Sequence, residues 1–182
     1  ANFSGYLDSL QTGVQAGIIA ELRKNMGNEV APPFALKDIQ GNLVRLADYR
    51  GKIVILDLWA TWCAPCIASF PAMQQLTEKY PEVVFLFIAV DEKGNNALER
   101  VQKFIAKNKY PFLVLMDEPL DKTSDKYLIT SSYQPNGIPA KYFIDTNGNL
   151  RFRSKGFDTD AELINEIEAM ISRLDGPRKC PH

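Results

Sequence analysis

The sequence predicts an α/β domain: a central mixed β-sheet with helices on both faces, preceded by a β-hairpin and an extra N-terminal helix. Three observations carry this expectation. First, "IVILDLWA" at Ile53–Ala60, "VVFLFIAV" at Val83–Val90 and "FLVLM" at Phe112–Met116 are near-continuous apolar runs of strand length, the pattern of strands buried on both faces. Second, the segments between these runs have helical length, so the strands they connect should run parallel. Third, "KYFID" and "LRFRS" flank "TNG", which predicts an antiparallel pair joined by a tight turn at Asn147–Gly148.

Each element follows in order. Leu7, Leu10, Val14, Ile18 and Leu22 recur at helical spacing within Tyr6–Met26 and predict an amphipathic helix, broken by "APPF" at Ala31–Phe34. "FALKD" and "LVRL", joined by "IQGN", read as a hairpin, and "YRGK" at Tyr49–Lys52 as a turn. A helix is expected from about Cys63 to Tyr80, with Pro65 in its first turn, where a missing N–H costs nothing. Another should cover Asn95–Asn108, ended by "NKYP". Leu120–Ser132 reads as a short helix and a loop. In the last helix Leu163, Ile164, Ile167, Met170, Ile171 and Leu174 form the apolar stripe, with Asp158 or Thr159 as N-cap. The expected organisation is a helical extension or linker over residues 1–30, one domain over 31–175, and a loose tail over 176–182.

The chain has 182 residues, 46% hydrophobic and 24% charged, enough for one domain with a real core. A net charge of −1 with mixed signs gives no basic stretch for nucleic acid and no polybasic or amphipathic membrane-binding segment. No apolar run is long enough to span a bilayer. The chain opens at Ala1 without a Met or a visible signal peptide, which reads as a processed or trimmed product.

The chemistry is concentrated in "DLWATWCAPC", Asp57–Cys66. A closed zinc site needs about four ligands, and beyond Cys63 and Cys66 the chain offers only Cys180 and His182, both in the tail. A c-type haem attachment needs His after the second cysteine, where Ile67 stands. As a staple, a bridge closing so short a loop removes little chain entropy. No cofactor or metal is therefore expected. Thiol–disulfide exchange explains the placement. Cys63 falls where a strand ends and a helix begins, so free N–H groups and the helix dipole favour its thiolate. Cys66 lies one turn on, within reach of Cys63. Cys63 attacks a partner disulfide and Cys66 resolves the mixed disulfide.

"WATWCAPC" after "KIVILDL" resembles the thioredoxin-like fold, and within it the TlpA/ResA-like branch of extracytoplasmic thiol-disulfide oxidoreductases. The resemblance covers about Ala31 to Leu174 and continues through "FIAVDEKG" and "GIPAKYFIDTNGNL". It implies a cis Ile138–Pro139 bond beside the cysteines, with the Ile138 backbone free to pair with an extended partner peptide. From residues alone, a trans Pro139 in an ordinary turn after Asn136–Gly137 is the favoured reading, and the resemblance reverses it. The branch implies a site outside the cytoplasm, a membrane anchor in the full-length protein, a membrane electron donor, and protein thiols or disulfides such as those of apocytochrome c as targets. The chain is expected to be a monomer.

Asp57 is the one charge in an apolar strand, and a buried carboxylate is costly unless paired or protonated. Cytoplasmic thioredoxins also place an Asp six residues before the first cysteine, where it exchanges a proton with the resolving cysteine. The alternative is a strand-end Asp capping a backbone group. Two departures stand out. Many members of the branch have Glu where this chain has Ser69, and thioredoxins often have a Lys where it has Phe87. Without that Lys, the pKa of Asp57 should rise further. Trp62, Ala64, Pro65, Ile138 and Pro139 are the expected partner-binding residues. Trp59, Phe70 and Tyr133 are expected to be packing, and Cys180 a stray thiol.

Three functions compete. The leading one is a thiol-disulfide oxidoreductase, most often a reductant; an oxidant or isomerase would use the same residues. A thiol peroxidase would need Pro-x-x-x-Thr-x-x-Cys, which this chain lacks. A non-enzymatic docking domain would not need the cysteine pair.

Overall fold

The computed structural model describes residues 27–121 and 125–174. The expected Tyr6–Met26 helix, Cys180, His182 and the tail lie outside the described residues. Eight strands appear in chain order: β1 (Glu29–Val30), β2 (Ala35–Lys37), β3 (Leu43–Arg45), β4 (Val54–Trp59), β5 (Val84–Ala89), β6 (Leu113–Met116), β7 (Ala140–Ile144) and β8 (Asn149–Lys155). The helices are α1 (Ala64–Ala68), α2 (Phe70–Lys79), α3 (Ala97–Asn108), α4 (Leu128–Tyr133) and α5 (Asp160–Leu174), with a 3₁₀ turn at Leu46–Tyr49.

Six strands form one mixed sheet in the order β1-β8-β7-β4-β5-β6. β4, β5 and β6 run parallel, as their apolar runs and helical connections require. β7 joins the other side of β4 antiparallel and pairs with β8. β2 and β3 form the expected separate hairpin, held to β6 by the Ile39 N–H donating to the Val114 carbonyl at 3.0 Å.

Alternation along β4 sorts its side chains onto two faces. Val54, Leu56 and Leu58 meet the hairpin and α4, through Leu36, Val44, Ile129 and Tyr133. Ile55 and Trp59 face the opposite layer, covered by α1, α2, α3 and α5. Phe70 centres that layer: it is fully buried and makes edge contacts with Trp59, Phe87, Phe104, Tyr110 and Phe112 at centroid distances of 5.0–6.3 Å. Burial of such a side chain stabilises by roughly 1.5–3 kcal/mol. Tyr133 is structural, as expected: its hydroxyl donates to the Pro32 carbonyl at 2.8 Å and its carbonyl accepts from the Tyr142 hydroxyl.

Two details differ from expectation. The helix expected over Cys63–Tyr80 is two helices that meet at Ser69. Pro71 has no N–H to give the Ile67 carbonyl, so the ladder breaks. The Ser69 N–H turns back to the Pro65 and Cys66 carbonyls, both at 3.2 Å. Glu29–Val30, read as part of the extension, adds an edge strand on β8. The β7–β8 turn is anchored by Asp145, whose Oδ1 accepts from the Asn147 and Asn149 amides. Gly148 takes φ +79° there, which an L side chain resists. At the start of α5, Thr159 Oγ1 accepts from the Glu162 N–H at 3.3 Å, the capping role offered to Asp158 or Thr159.

Candidate active site

Cys63 is the N-cap of α1, at the end of the turn that follows β4. Its Sγ is bonded to the Cys66 Sγ, with the Cα atoms 5.3 Å apart, and also accepts the Cys66 N–H at 3.3 Å. Cys66 is fully buried and Cys63 is 4% exposed, while the intervening Ala64 and Pro65 are exposed. An outside thiol or disulfide therefore meets Cys63 before Cys66. Ser69, on the helix break, donates its hydroxyl to the Cys66 carbonyl at 2.7 Å.

The turn before Cys63 is fastened from the far side. Glu92 lies buried in the loop after β5 and accepts from the Thr61 N–H at 2.5 Å and the Thr61 hydroxyl at 3.0 Å. Arg100 of α3 donates twice to the same carboxylate. Trp62 is 57% exposed, and its Nε1 donates to the Asp91 carbonyl at 3.0 Å. Thr61, Trp62, Asp91, Lys93, Arg100 and Phe104 line an open groove of about 690 Å³ beside the cysteines. Ile138–Pro139 is cis, immediately before β7. Ile138 packs against the core layer that contains Cys63 and Cys66.

Asp57 and Lys141 form the buried polar centre of this layer. They stand opposite each other across β4 and β7, each side chain 2% exposed, with Lys141 Nζ 3.3 Å from Asp57 Oδ1. The contact is a buried ion pair. Burial pushes the Asp57 carboxyl above the usual carboxylate range, and the Lys141 ammonium pulls it partly back. The expectation that Asp57 lacks a lysine is therefore corrected. Phe87 does occupy the β5 position beside Asp57, but the cation comes from the strand on the other side. Lys141 was visible in the sequence as a lone charge in "AKYFI", a counterpart to the lone Asp57 in "VILDLW". Their pairing depends on strand order and register, which neither segment shows alone. Glu92 and Arg100 were missed because Glu92 bonds Thr61 across 31 residues of chain, and Arg100 reaches the turn only through Glu92. Among the described residues, no cluster of three or more His, Cys, Asp or Glu is placed to hold a metal.

A mixed sheet carrying a CxxC disulfide at a strand–helix junction, with a cis-proline leading into β7, defines a thioredoxin-like thiol-disulfide oxidoreductase. The AhpC/TSA family profile matches residues 28–153. The chain is 30% identical over 166 residues to thiol-disulfide oxidoreductase ResA of Geobacillus thermodenitrificans, covering 90% of this chain and 89% of that protein. A solved Chlorobium tepidum structure, assigned as thiol:disulfide interchange protein DsbE, is 32% identical with a TM-score of 0.65, covering 79% of this chain and 96% of that one. The exposed lipoprotein thioredoxin of Streptococcus pneumoniae is 26% identical with a TM-score of 0.61, covering 79% and 98%. The chain belongs to the AhpC/TSA family, among the ResA-like thiol-disulfide oxidoreductases.

Proposed function

We propose that the protein reduces disulfides of other proteins outside the cytoplasm, with Cys63 as nucleophile and Cys66 as resolving thiol. The observation that carries this reading is the asymmetry of the pair: Cys63 borders the exposed Trp62-Ala64-Pro65 rim, and Cys66 is wholly buried. In the reduced state the Cys66 amide, which already points at Cys63 Sγ, stabilises the Cys63 thiolate. That thiolate attacks a partner disulfide and expels one partner thiolate. Cys66 then loses its proton to Asp57 and attacks Cys63 Sγ. The Cys63–partner bond breaks, the second partner thiolate leaves, and the Cys63–Cys66 disulfide forms. The partner disulfide gains two electrons, and the cysteine pair supplies them.

Trp62, Ala64 and Pro65 form one wall for the partner, and the Ile138–Pro139 segment pairs with its extended backbone. Apocytochrome c cysteines and other oxidised extracytoplasmic thiols are the target class. A membrane donor restores the reduced pair, and an anchor in the full-length protein holds the domain near it. The description of the pneumococcal neighbour as an exposed lipoprotein supports this location. Among the described residues no helix is long and apolar enough to cross a membrane.

The test is a trap. Incubated with insulin as disulfide substrate, reduced Cys66→Ser should accumulate a dithiothreitol-sensitive adduct on Cys63, and Cys63→Ser should form none. Adducts formed equally by both variants would overturn the assignment of roles. Faster disulfide formation in a reduced protein than disulfide cleavage in insulin would overturn the direction.

A further inference from the structure

We propose that the groove beside Cys63 is a specificity subsite of the exchange reaction: Arg100 and Lys93 favour a polypeptide that carries an acidic side chain next to the cysteine under attack. The inference rests on the proposed attack of Cys63 on disulfides of other proteins and names the class of sequence which that attack prefers.

The loop after β5 builds one side of the groove. The chain turns at Asp91, whose φ of +50° few L residues adopt, and successive residues then go different ways. The Asp91 carbonyl accepts from Trp62 Nε1, Glu92 is buried and bonds Thr61 and Arg100, and the Lys93 side chain is 86% exposed. Arg100, on α3, is held in place before any occupant arrives. Its Nε and Nη2 donate to Glu92 Oε2, and Nη2 also donates to the Lys93 carbonyl at 2.8 Å. Nη1 is bonded to no acceptor among the described residues, and the side chain lines the groove. A guanidinium already fixed through two nitrogens loses little freedom on binding, and its remaining N–H groups suit a carboxylate.

The charges on the groove surface set the sign of its occupant. The lining carries two cations, Lys93 and Arg100, and one anion, Asp91. Glu92, which balances Arg100, lies beneath the surface with its side chain 3% exposed. Asp91 is 4.0 Å from Lys93 and both side chains are exposed, so that contact holds Lys93 weakly. A carboxylate in the groove is drawn to both cations, and an ammonium is repelled by both. Trp62 and Phe104 supply apolar walls for the methylenes of the bound side chain. Phe104 is packed from behind by Trp59, with ring centroids 5.5 Å apart, so its wall is fixed. Trp62 directly precedes Cys63, so the residues that flank an attacked cysteine are the ones brought to the groove. The chemistry of exchange by itself gives the opposite preference: a carboxylate beside a cysteine raises the thiol pKa and makes its thiolate a poorer leaving group. A preference for acidic neighbours therefore has to come from this surface.

The test uses short symmetric peptide disulfides whose cysteine is flanked on both sides by Glu, by Gln or by Lys. The protein is reduced with dithiothreitol, freed of it, and mixed with each peptide. The second-order rate constant for its oxidation is divided by the rate constant of the same peptide with dithiothreitol. On this scale the wild type should prefer Glu over Gln by about fivefold, the size of one partly exposed ion pair, and place Lys last. Lys93→Gln should lower the Glu-to-Gln ratio by about twofold. Arg100→Lys keeps a cation beside Glu92 but removes the guanidinium fork, and should lower it by about as much. Lys93→Gln changes an exposed side chain, so it reports on folded protein even where Arg100→Lys loosens the Thr61 brace. Gln reacting as fast as Glu, or Lys fastest, would overturn the proposal while leaving cysteine exchange intact. A Glu preference left unchanged by either variant would place the selection elsewhere and overturn it too. Failure of the wild type to react with any of the three peptides would instead overturn the proposed function.

Discussion

Arg100 and Glu92 are joined by two hydrogen bonds, from Nε at 3.0 Å and Nη2 at 2.8 Å to the same carboxylate oxygen, Oε2. Through Thr61, this pair fixes the turn that delivers Trp62 and Cys63. Helix α3 thus braces the active-site loop from outside the minimal βα unit that carries the cysteines.

Glu92→Ala removes the acceptor for the Thr61 amide and hydroxyl at a buried position. We expect a loss of about 1–3 kcal/mol in unfolding free energy. Denaturant titration of the oxidised protein checks this; the Arg100 guanidinium left behind is 41% exposed and regains water, so the loss comes from the Thr61 groups. An unchanged midpoint for Glu92→Ala would show that the turn holds itself.

On the proposed function, Trp62 is expected to contribute to binding more than to folding. Its ring is exposed, so Trp62→Ala should change stability by no more than about 0.5 kcal/mol. As an aromatic anchor in an interface it should contribute more than about 1 kcal/mol. The expected result is a roughly tenfold rise in KM for insulin, with oxidation by a small disulfide little changed. Equal effects on both substrates would place Trp62 in the chemistry.

Ser69 stands where many members of the branch have Glu. Its side chain is fully buried, and its hydroxyl donates to the Cys66 carbonyl. Ser69→Ala should cost about 1 kcal/mol, read from thermal or denaturant unfolding. Ser69→Glu should cost clearly more, because it buries a carboxylate with no cation beside it. A Glu variant as stable as the wild type would show that the helix break opens easily to water.

Asp57 gives stability a distinctive pH dependence. Its carboxyl titrates near pH 3.9 in the unfolded chain and higher in the fold. Between those values the folded state holds more protons, so stability falls as pH rises. Its favourable contribution is complete below the unfolded pKa and is lost as pH climbs through the raised folded value. The slope reaches at most about 1.4 kcal/mol per pH unit. Subtracting the Asp57→Asn profile from that of the wild type, both oxidised, should expose it. A flat or rising difference would contradict the burial argument.

Much of this fold was legible because its signals are local. "IVILDLWA" announces a buried strand, "TNG" a turn, and the stripe from Leu163 to Leu174 a helix face. The cysteines were legible because their spacing, neighbours and position on the strand–helix boundary agree. The helix break was in principle readable from Pro71, yet the apolar periodicity through Phe70, Met73 and Leu76 masked it. Glu29–Val30 is too short to carry a pattern and becomes a strand only because β8 offers an edge. Lys141 and Glu92 acquire their roles from partners 84 and 31 residues away, Asp57 and Thr61. Such pairings exist only after the sheet has chosen its order.

The most direct test of the central claim is the equilibrium redox potential of the Cys63–Cys66 pair, titrated against dithiothreitol or glutathione, with Cys63→Ser as control. The account predicts one reversible two-electron couple, absent in the control, at or below the thioredoxin value of about −270 mV. A potential near about −120 mV would make the protein a maker of disulfides and contradict the proposed direction. Failure to find a reversible two-electron couple would contradict the exchange mechanism itself.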